Sequence, residues 1–227
     1  MNANFAIIVP KDSNLKNKKD LAKIKKLFLE RFADAKSELR FASNYELIVS
    51  VMLSAQCTDK RVNLITPALF ETYPSVRDLA RARPASVAEI IHSCSFFNAK
   101  AENLVKMARL VVERHGGEVP LDEKALLALP GVGQKTAHVV LIEAKGANVM
   151  AVDTHVFRVA HRLGLATAKT PAGTDEELTA LFRTDLARLH QAMIWFGRLI
   201  CEARKPKCEE CFLREFCDFY GREGGAK

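Results

Sequence analysis

Apolar residues recur at intervals of three and four along most of the chain, which is the spacing of an amphipathic helix. The first such pattern covers residues 21–32, where the apolar positions stand among lysines. Similar patterns cover residues 45–56, 61–72, 99–115, 134–145, 154–163 and 186–203. The most strand-like segment, residues 147–152, is too short and isolated to found a sheet. The sequence therefore predicts an all-α fold.

Helix starts carry a second pattern, in which a Ser or Thr is followed three residues later by Glu. In such a capping box the two side chains satisfy free N–H groups of the first helical turn. Three pairs have this spacing: Ser43 with Glu46, Ser86 with Glu89, and Thr174 with Glu177. Asp122 and Asp153 also stand where a helix N-cap is expected. Each of these positions predicts the start of a helix.

The composition indicates a folded protein with a basic surface. The 227 residues are 48% hydrophobic, which is enough for a buried core in one large domain or two small ones. Lys and Arg number 34 against 27 Asp and Glu, and this excess makes an anionic partner plausible. Apolar runs fall far short of the roughly 20 residues of a membrane span, and the N-terminus does not resemble a signal peptide. We therefore expect a cytoplasmic protein that does not associate with a membrane.

Residues 129–133, with the sequence Leu-Pro-Gly-Val-Gly, join two predicted helices. Paired glycines let the backbone turn tightly and expose N–H groups, to which the next helix adds its positive end. Such a nest binds a phosphate, so Gly131, Val132 and Gly133 are candidate contacts to a DNA backbone. The stretch is similar to the helix-hairpin-helix motif of DNA-binding proteins. The alternative is an ordinary helix–helix turn that needs glycine for its geometry.

Four of the six cysteines lie close together near the C-terminus, with six, two and five residues between them: Cys201, Cys208, Cys211 and Cys217. Four thiolates within so short a segment can converge on one centre. The spacing favours an iron-sulfur cluster over zinc, because zinc sites usually draw on two short Cys pairs separated by a longer span. Between the first two cysteines lie Arg204, Lys205 and Lys207. They form either a basic loop suited to DNA phosphates or a solvated run of charge.

Lys135 and Asp153 belong to a more specific pattern. The chain reads Leu-Pro-Gly-Val-Gly-Gln-Lys-Thr-Ala in residues 129–137 and Val-Asp-Thr-His-Val-Phe-Arg-Val in residues 152–159. Together with the cysteine spacing, these segments closely resemble the endonuclease III family, over nearly the whole chain. In that family the matching lysine and aspartate are catalytic, and the matching cysteines carry a 4Fe-4S cluster.

The resemblance implies a bifunctional DNA glycosylase and AP lyase of base excision repair. Its partner would be double-stranded DNA with abasic sites or with oxidised or ring-saturated pyrimidines such as thymine glycol. Lys135 would expel the base and hold the sugar as a Schiff base, after which β-elimination cuts the strand on the 3′ side. Burial and nearby helix N-termini must lower the pKa of Lys135, because a neighbouring carboxylate raises it. Asp153 would stabilise positive charge that grows on the sugar.

Two further residues match family positions that fill the gap left by an extruded base. Gln56 corresponds to the gap-filling glutamine. Phe96 lies in the segment Ser95-Phe96-Phe97, where the family more often has glycine followed by leucine and tyrosine. Phe96 or Phe97 could instead belong to the core. Cys57, Gln134 and His138 also differ from the residues that are frequent in the family, which leaves the preferred lesion open.

The resemblance also implies the helix-hairpin-helix DNA glycosylase fold, with two domains. Residues 37–147 would form a six-helix barrel, and the chain ends, residues 1–36 and 148–227, an iron-sulfur cluster domain. We expect a monomer that acts at the bacterial nucleoid. A mismatch adenine glycosylase is the alternative within the fold, although it lacks the lysine. A non-catalytic DNA-binding protein and a redox protein are alternatives from other classes.

Overall fold

The computed structural model describes residues 16–222, and every regular element in that range is helical. The helices are α1 (Lys18–Arg31), α2 (Asn44–Ser54), α3 (Asp59–Thr72), α4 (Val76–Arg81), α5 (Pro84–Ile91), α6 (Phe97–His115), α7 (Glu123–Leu127), α8 (Gln134–Lys145), α9 (Thr154–Leu163), α10 (Pro171–Phe182), α11 (Leu186–Leu199) and α12 (Asp218–Arg222). Two 3₁₀ turns, Cys208–Glu210 and Arg214–Phe216, precede α12. The predicted all-α fold is confirmed. Among these helices, none combines the length and apolar character that crossing a bilayer requires.

Helices α8 and α9 have the bounds that the apolar pattern predicts. The predicted end of α11 at residue 203 is wrong, because this helix ends at Leu199. The chain turns there since the N–H groups of Ile200 and Cys201 both donate to the carbonyl of Phe196, at 2.9 Å each. Helix α4 has no counterpart among the predicted patterns, since six residues are too few to display a helical period.

Three of the predicted helix starts are confirmed. Ser43, Asp122 and Asp153 are the N-caps of α2, α7 and α9, and each side chain accepts a hydrogen bond from an N–H of the first turn. These bonds satisfy donors that a helix itself leaves free. The aspartate that the sequence singles out for catalysis therefore also fixes the start of a helix.

Two of the predicted starts, Ser86 and Thr174, are wrong. Helices α5 and α10 begin earlier, each with proline at its first position. Proline is favoured there because its missing N–H has no intrahelical partner to lose. Glu177, the expected capping partner of Thr174, accepts instead from the N–H groups of Thr167 at 2.7 Å and Ala168 at 3.1 Å. It thereby fastens the loop before α10 to that helix.

Buried hydrophobic side chains form two core clusters. The first core is drawn from α2 to α8. The second core lies among α1, α9, α10 and α11, where the rings of Phe28 and Phe196 pack edge to face with centroids 5.3 Å apart. Helix α1 thus packs against the C-terminal half of the chain. The segment between α8 and α9 joins the cores, since Ala151 contributes to the first and Val152 to the second.

Candidate active site

The two glycines of the hairpin serve different purposes. Gly131 has a φ of +78°, and a Cβ added to it would lie only 2.8 Å from the Cβ of Asn103. The turn therefore requires glycine at this position. Gly133 has the extended conformation of a helix N-cap, and a Cβ there would meet no atom within 4 Å. Its small size keeps the space at the start of α8 open.

Val132 is a correction to the predicted phosphate contacts. Its side chain is buried in the first core, and its N–H donates to the carbonyl of Leu129 at 3.1 Å. Neither group can turn to an anion without breaking the hairpin. Gly133, which follows Val132, is exposed and is the N-cap of α8. It makes no side-chain hydrogen bond to the first helical turn, so the N–H groups of that turn stay available to an anion.

Lys135 and Asp153 meet at one cleft between the two cores. Lys135 is the second residue of α8, and Asp153 is the N-cap of α9. The Oδ1 atom of Asp153 accepts from the N–H groups of His155 and Val156, at 2.8 Å each. Both Lys135 and Asp153 line one cavity, together with His190 and Arg198 of α11. The fold therefore brings together the two residues that the sequence analysis pairs.

Burial lowers the pKa of Lys135 below the ordinary value of a lysine. Among its neighbours, Asp153 and Asp59 raise this pKa and Arg198 lowers it further. Loss of solvation outweighs the attraction of the carboxylates, as the sequence analysis requires of a nucleophilic amine. A larger fraction of the side chain is therefore uncharged near neutral pH, and an uncharged amine can attack carbon.

His190 lines the same cavity and carries a ring nitrogen without a hydrogen-bond partner in the described part of the chain. The side chain is 1% exposed, and its Nδ1 atom has no hydrogen-bond partner among residues 16–222. Burial lowers the pKa of the imidazole to about 4, so the ring is neutral near pH 7. Sequence reasoning does not find this residue, because one histidine in the apolar pattern of α11 looks like an ordinary core position.

Arg198, also on α11, adds a positive charge to the wall of the cleft. Its guanidinium donates to a carboxylate oxygen of Asp59 at 3.0 Å and also binds Glu38. These bonds raise the pKa of Arg198, so the group is permanently charged. The sequence offers no signal for this trio, since its members lie on three separate segments.

Gln56 and Phe96 flank a surface hollow that also includes Gly131. Both have positive φ values, 53° and 56°, which are uncommon for residues with a side chain. Both are exposed, and Phe96 leaves 65% of its surface in solvent. Lys100 also lines the hollow, and its ammonium donates to the carbonyls of Leu53 at 2.8 Å and Ala55 at 2.7 Å. Phe96 is thus an exposed aromatic, and the alternative of a core position is wrong.

Two departures from the family pattern, Gln134 and His138, share one carboxylate. Asp175 on α10 accepts from the amide of Gln134 at 3.2 Å and lies 2.9 Å from Nδ1 of His138. The Nε2 atom of His138 lies 2.9 Å from a carboxylate oxygen of Glu123 on α7. These contacts raise the pKa of His138 to about 9, although burial acts in the opposite direction. The protonated ring therefore ties α7 and α8 to α10.

The four clustered cysteines line a second cavity, beside α9 and α11. All four are free thiols that are neither fully buried nor fully exposed. Burial raises the pKa of the Cys211 thiol to about 11, so four thiolates here need a bound cation. A guanidinium nitrogen of Arg162 lies 3.4 Å from the sulfur of Cys201. This set of donors around one cavity fits the predicted iron-sulfur cluster.

The basic residues between the first two cysteines are at the surface. Arg204, Lys205 and Lys207 are all exposed, and Lys207 makes a 3.6 Å ion pair with Glu202. Arg162 fixes the start of this loop by donating to the carbonyls of Glu202 at 2.7 Å and Ala203 at 2.9 Å. The cysteine cavity and the basic loop are therefore held by the same helix, α9, whose N-cap is the cleft aspartate.

Two protein-family models match the chain. Residues 49–184 match the model described as HhH-GPD superfamily base excision DNA repair protein. Residues 201–217 match the iron-sulfur binding domain of endonuclease III. The first match contains the hairpin and the cleft residues of α8 and α9, and the second contains all four clustered cysteines.

Individual proteins match over most of their length. The chain is 43% identical to the endonuclease III of Rickettsia conorii over 199 residues, which are 87% of this chain and 95% of that protein. It is 41% identical to the endonuclease III of Escherichia coli K12 over 187 residues, 81% and 87% of the two chains. A solved structure of a trapped endonuclease III–DNA covalent intermediate superposes with a TM-score of 0.88 and 34% identity. That match covers 92% of this chain and 100% of the other.

Proposed function

The chain belongs to the endonuclease III family within the HhH-GPD superfamily of base excision DNA repair proteins, and from that premise we propose that Lys135 and Asp153 are its catalytic pair. The protein is a DNA glycosylase and AP lyase that binds DNA and carries a 4Fe-4S cluster. The observation that carries the assignment of residues is a half-buried lysine with a lowered pKa that shares a cleft with a helix-capping aspartate.

In the proposed reaction, the uncharged amine of Lys135 attacks C1′ of the damaged nucleotide and the bond to the base breaks. One proton of the amine passes to the leaving base, and the ring oxygen takes the other as the C1′–O4′ bond breaks and the sugar opens to a Schiff base. Loss of a C2′ proton then expels the 3′ phosphate by β-elimination, and water releases the enzyme. The carboxylate of Asp153, fixed by two backbone N–H groups, stabilises the positive charge on the sugar.

We assign DNA contacts to three parts of the surface. Gln56 and Phe96 would enter the stack and fill the space left by the extruded nucleotide. Exposed N–H groups at Gly133 and the start of α8 would hold a phosphate, with Gly131 shaping the turn. The basic loop of Arg204, Lys205 and Lys207 would bind the backbone on the other side of the cleft, in the shape that the bound cluster gives it.

The proposed substrates are oxidised or ring-saturated pyrimidines in double-stranded DNA, and the protein would act as a monomer. The proposed domains are a barrel of residues 37–147 and a cluster domain of residues 1–36 and 148–227, of which residues 1–15 and 223–227 lie outside the described range. The two hydrophobic cores support this division. The barrel range contains seven helices, because α4 adds to the six that the resemblance implies.

Borohydride trapping tests the nucleophile directly, since borohydride reduces a Schiff base to a stable amine. We expect the wild-type protein to form a covalent adduct with a duplex that contains one thymine glycol, and Lys135→Ala to form none. Lys36→Ala is the matched control, because Lys36 is an exposed lysine that lines the same cleft. An adduct that persists in Lys135→Ala and disappears in Lys36→Ala would refute the assignment.

Asp153→Asn separates the roles of the pair. The amide retains a side-chain oxygen for the helix cap and removes the negative charge. We expect single-turnover base release to fall by about 100-fold or more, the scale of one lost electrostatic interaction in a transition state. The melting temperature, measured in parallel, should change little, and a rate close to wild type would contradict the proposed role.

A further inference from the structure

Two cysteines outside the cluster lie side by side where two segments meet. These are the connection that carries Gln56 and the connection that carries Phe96, which we call the DNA-probing segments. The sulfur of Cys94 is 3.1 Å from that of Cys57 and 3.8 Å from the carbonyl oxygen of Leu53. Cys57 lies in the connection between α2 and α3, next to Gln56. Cys94 lies in the connection between α5 and α6, two residues before Phe96. Closing the sulfur gap to a bond of about 2.05 Å would need a shift of only about 1 Å.

The surroundings of the pair suit thiol oxidation. Cys57 is partly exposed and Cys94 is 3% exposed, so Cys57 is the more accessible residue of the pair. Burial raises the pKa of the Cys94 thiol to about 12, although Lys100 and Arg61 contribute positive charge beside it. Cys57 is therefore the thiol that meets an oxidant first, and the buried Cys94, whose sulfur is in contact with it, is placed to serve as the resolving thiol.

We propose that Cys57 and Cys94 form a redox modification site, in which a low-molecular-weight disulfide oxidises the pair to an intramolecular disulfide that joins the two DNA-probing segments. The Cys57 thiolate attacks one sulfur of the oxidant and releases one thiol, which leaves a mixed disulfide on Cys57. Cys94 then attacks the Cys57 sulfur and expels the second thiol, which takes the proton of Cys94. Two protein thiols are oxidised and one small disulfide is reduced to two thiols.

The disulfide would change how Gln56 and Phe96 reach DNA. Ser95 already donates a hydrogen bond to the carbonyl of Gln56, so the two segments touch at a second point. A covalent bond would draw the segments about 1 Å closer together and remove their freedom to adapt to a kinked duplex. This consequence rests on the DNA role proposed for Gln56 and Phe96, whereas formation of the disulfide does not.

Peptide mapping of the iron-loaded protein tests the site. After treatment with oxidised glutathione, tryptic residues 41–60 should be linked to residues 82–100, and dithiothreitol should separate them. Cys57→Ala and Cys94→Ala should each lose the link. Iron content is measured in the same samples, so that cysteines released from a damaged cluster are not mistaken for the pair. A fully loaded wild-type protein without this link would overturn the proposal.

Binding measured on the same samples tests the consequence. We expect oxidised wild-type protein to bind a thymine glycol duplex several-fold more weakly than the reduced protein, with full recovery in dithiothreitol and no change in Cys57→Ala. A linked protein with unchanged affinity would overturn control of DNA binding. If the reduced protein releases no damaged base at all, the proposed function fails, and the peptide link still decides whether the thiol pair is oxidised.

Discussion

Lys135 lies between charges of opposite sign, and their balance sets how readily its amine loses a proton. Asp59 raises the pKa of Lys135, and Arg198, which Asp59 binds at 3.0 Å, lowers it. Removal of the Asp59 charge therefore lowers the pKa of Lys135 in two ways. It deletes a carboxylate that favours the ammonium form, and it leaves the charge of Arg198 less neutralised. The amine should be uncharged at a lower pH in such a variant.

We predict that Asp59→Asn shifts the acidic limb of base release to lower pH, by about 0.5 unit, the scale of one partly solvated charge. The sign follows because the uncharged amine is the reactive form, so the rate rises as pH passes through the pKa of Lys135. Single-turnover rates between pH 5 and 9 measure the limb. Glu38→Gln, which removes the other carboxylate bound to Arg198, is the control and should shift it less. An unmoved or upward-shifted limb in Asp59→Asn would contradict this balance.

The hairpin glycines allow a prediction that separates folding from binding. Gly131→Ala should destabilise the protein by about 1–3 kcal/mol, because it adds both an unfavourable φ and a close contact with Asn103. Gly133→Ala meets no atom and should leave the melting temperature nearly unchanged. Its methyl group would stand at the proposed phosphate site, so affinity for duplex DNA should fall. Equal affinity of Gly133→Ala and wild type would remove Gly133 from the interface.

At the scale of elements, α7, α8 and α10 are joined through a single imidazolium. His138 is 5% exposed and faces the carboxylates of Glu123 and Asp175 and the carbonyl of Met150. Its pKa is raised from 6.5 to about 9 in the folded protein. The stabilisation is therefore complete below about pH 6.5 and is lost as pH rises through about 9. The hairpin should be held less firmly in alkaline solution.

The variant His138→Asn tests this link, because asparagine is uncharged throughout. We expect wild type to be more stable than the variant at pH 6, by at most about 3 kcal/mol, and the difference to shrink between pH 7 and pH 10. Urea unfolding across that range measures it. Asp175→Asn should reduce the same pH dependence from the other side of the contact. A difference that stays constant over the range would mean that His138 is not charged in the folded protein.

Elements with a local signal are the ones that sequence predicts well. The apolar period gives the bounds of α8 and α9, and the hairpin pattern gives the connection before Lys135, because neighbouring residues determine both. Capping boxes mislead where a proline starts the helix earlier. His190 and Arg198 join the cleft only through tertiary packing of α11, so no spacing along the chain indicates them. The sequence therefore predicts the proposed catalytic pair, and the fold adds the groups that surround it.

For the whole molecule, the cleft lies where two cores meet, and each core is responsible for different parts of the site. The first core positions α8 with Lys135, together with the segments of Gln56 and Phe96. The second core positions α9 with Asp153 and the cysteine cavity, and it depends on α1 from the other end of the chain. Damage to one core should therefore affect these features unequally.

Matched core substitutions test this division. Phe28→Ala removes a fully buried ring from the second core, and Leu104→Ala removes a fully buried side chain from the first. Each should destabilise its own core by about 2–5 kcal/mol. We expect Phe28→Ala to release iron at a lower temperature than Leu104→Ala does, because only the second core walls the cysteine cavity. Iron release is followed with a chelator during heating, and helix content by circular dichroism. Coincident iron release and helix loss, at equal temperatures in both variants, would show that the cores unfold as a single unit and would refute the proposed division.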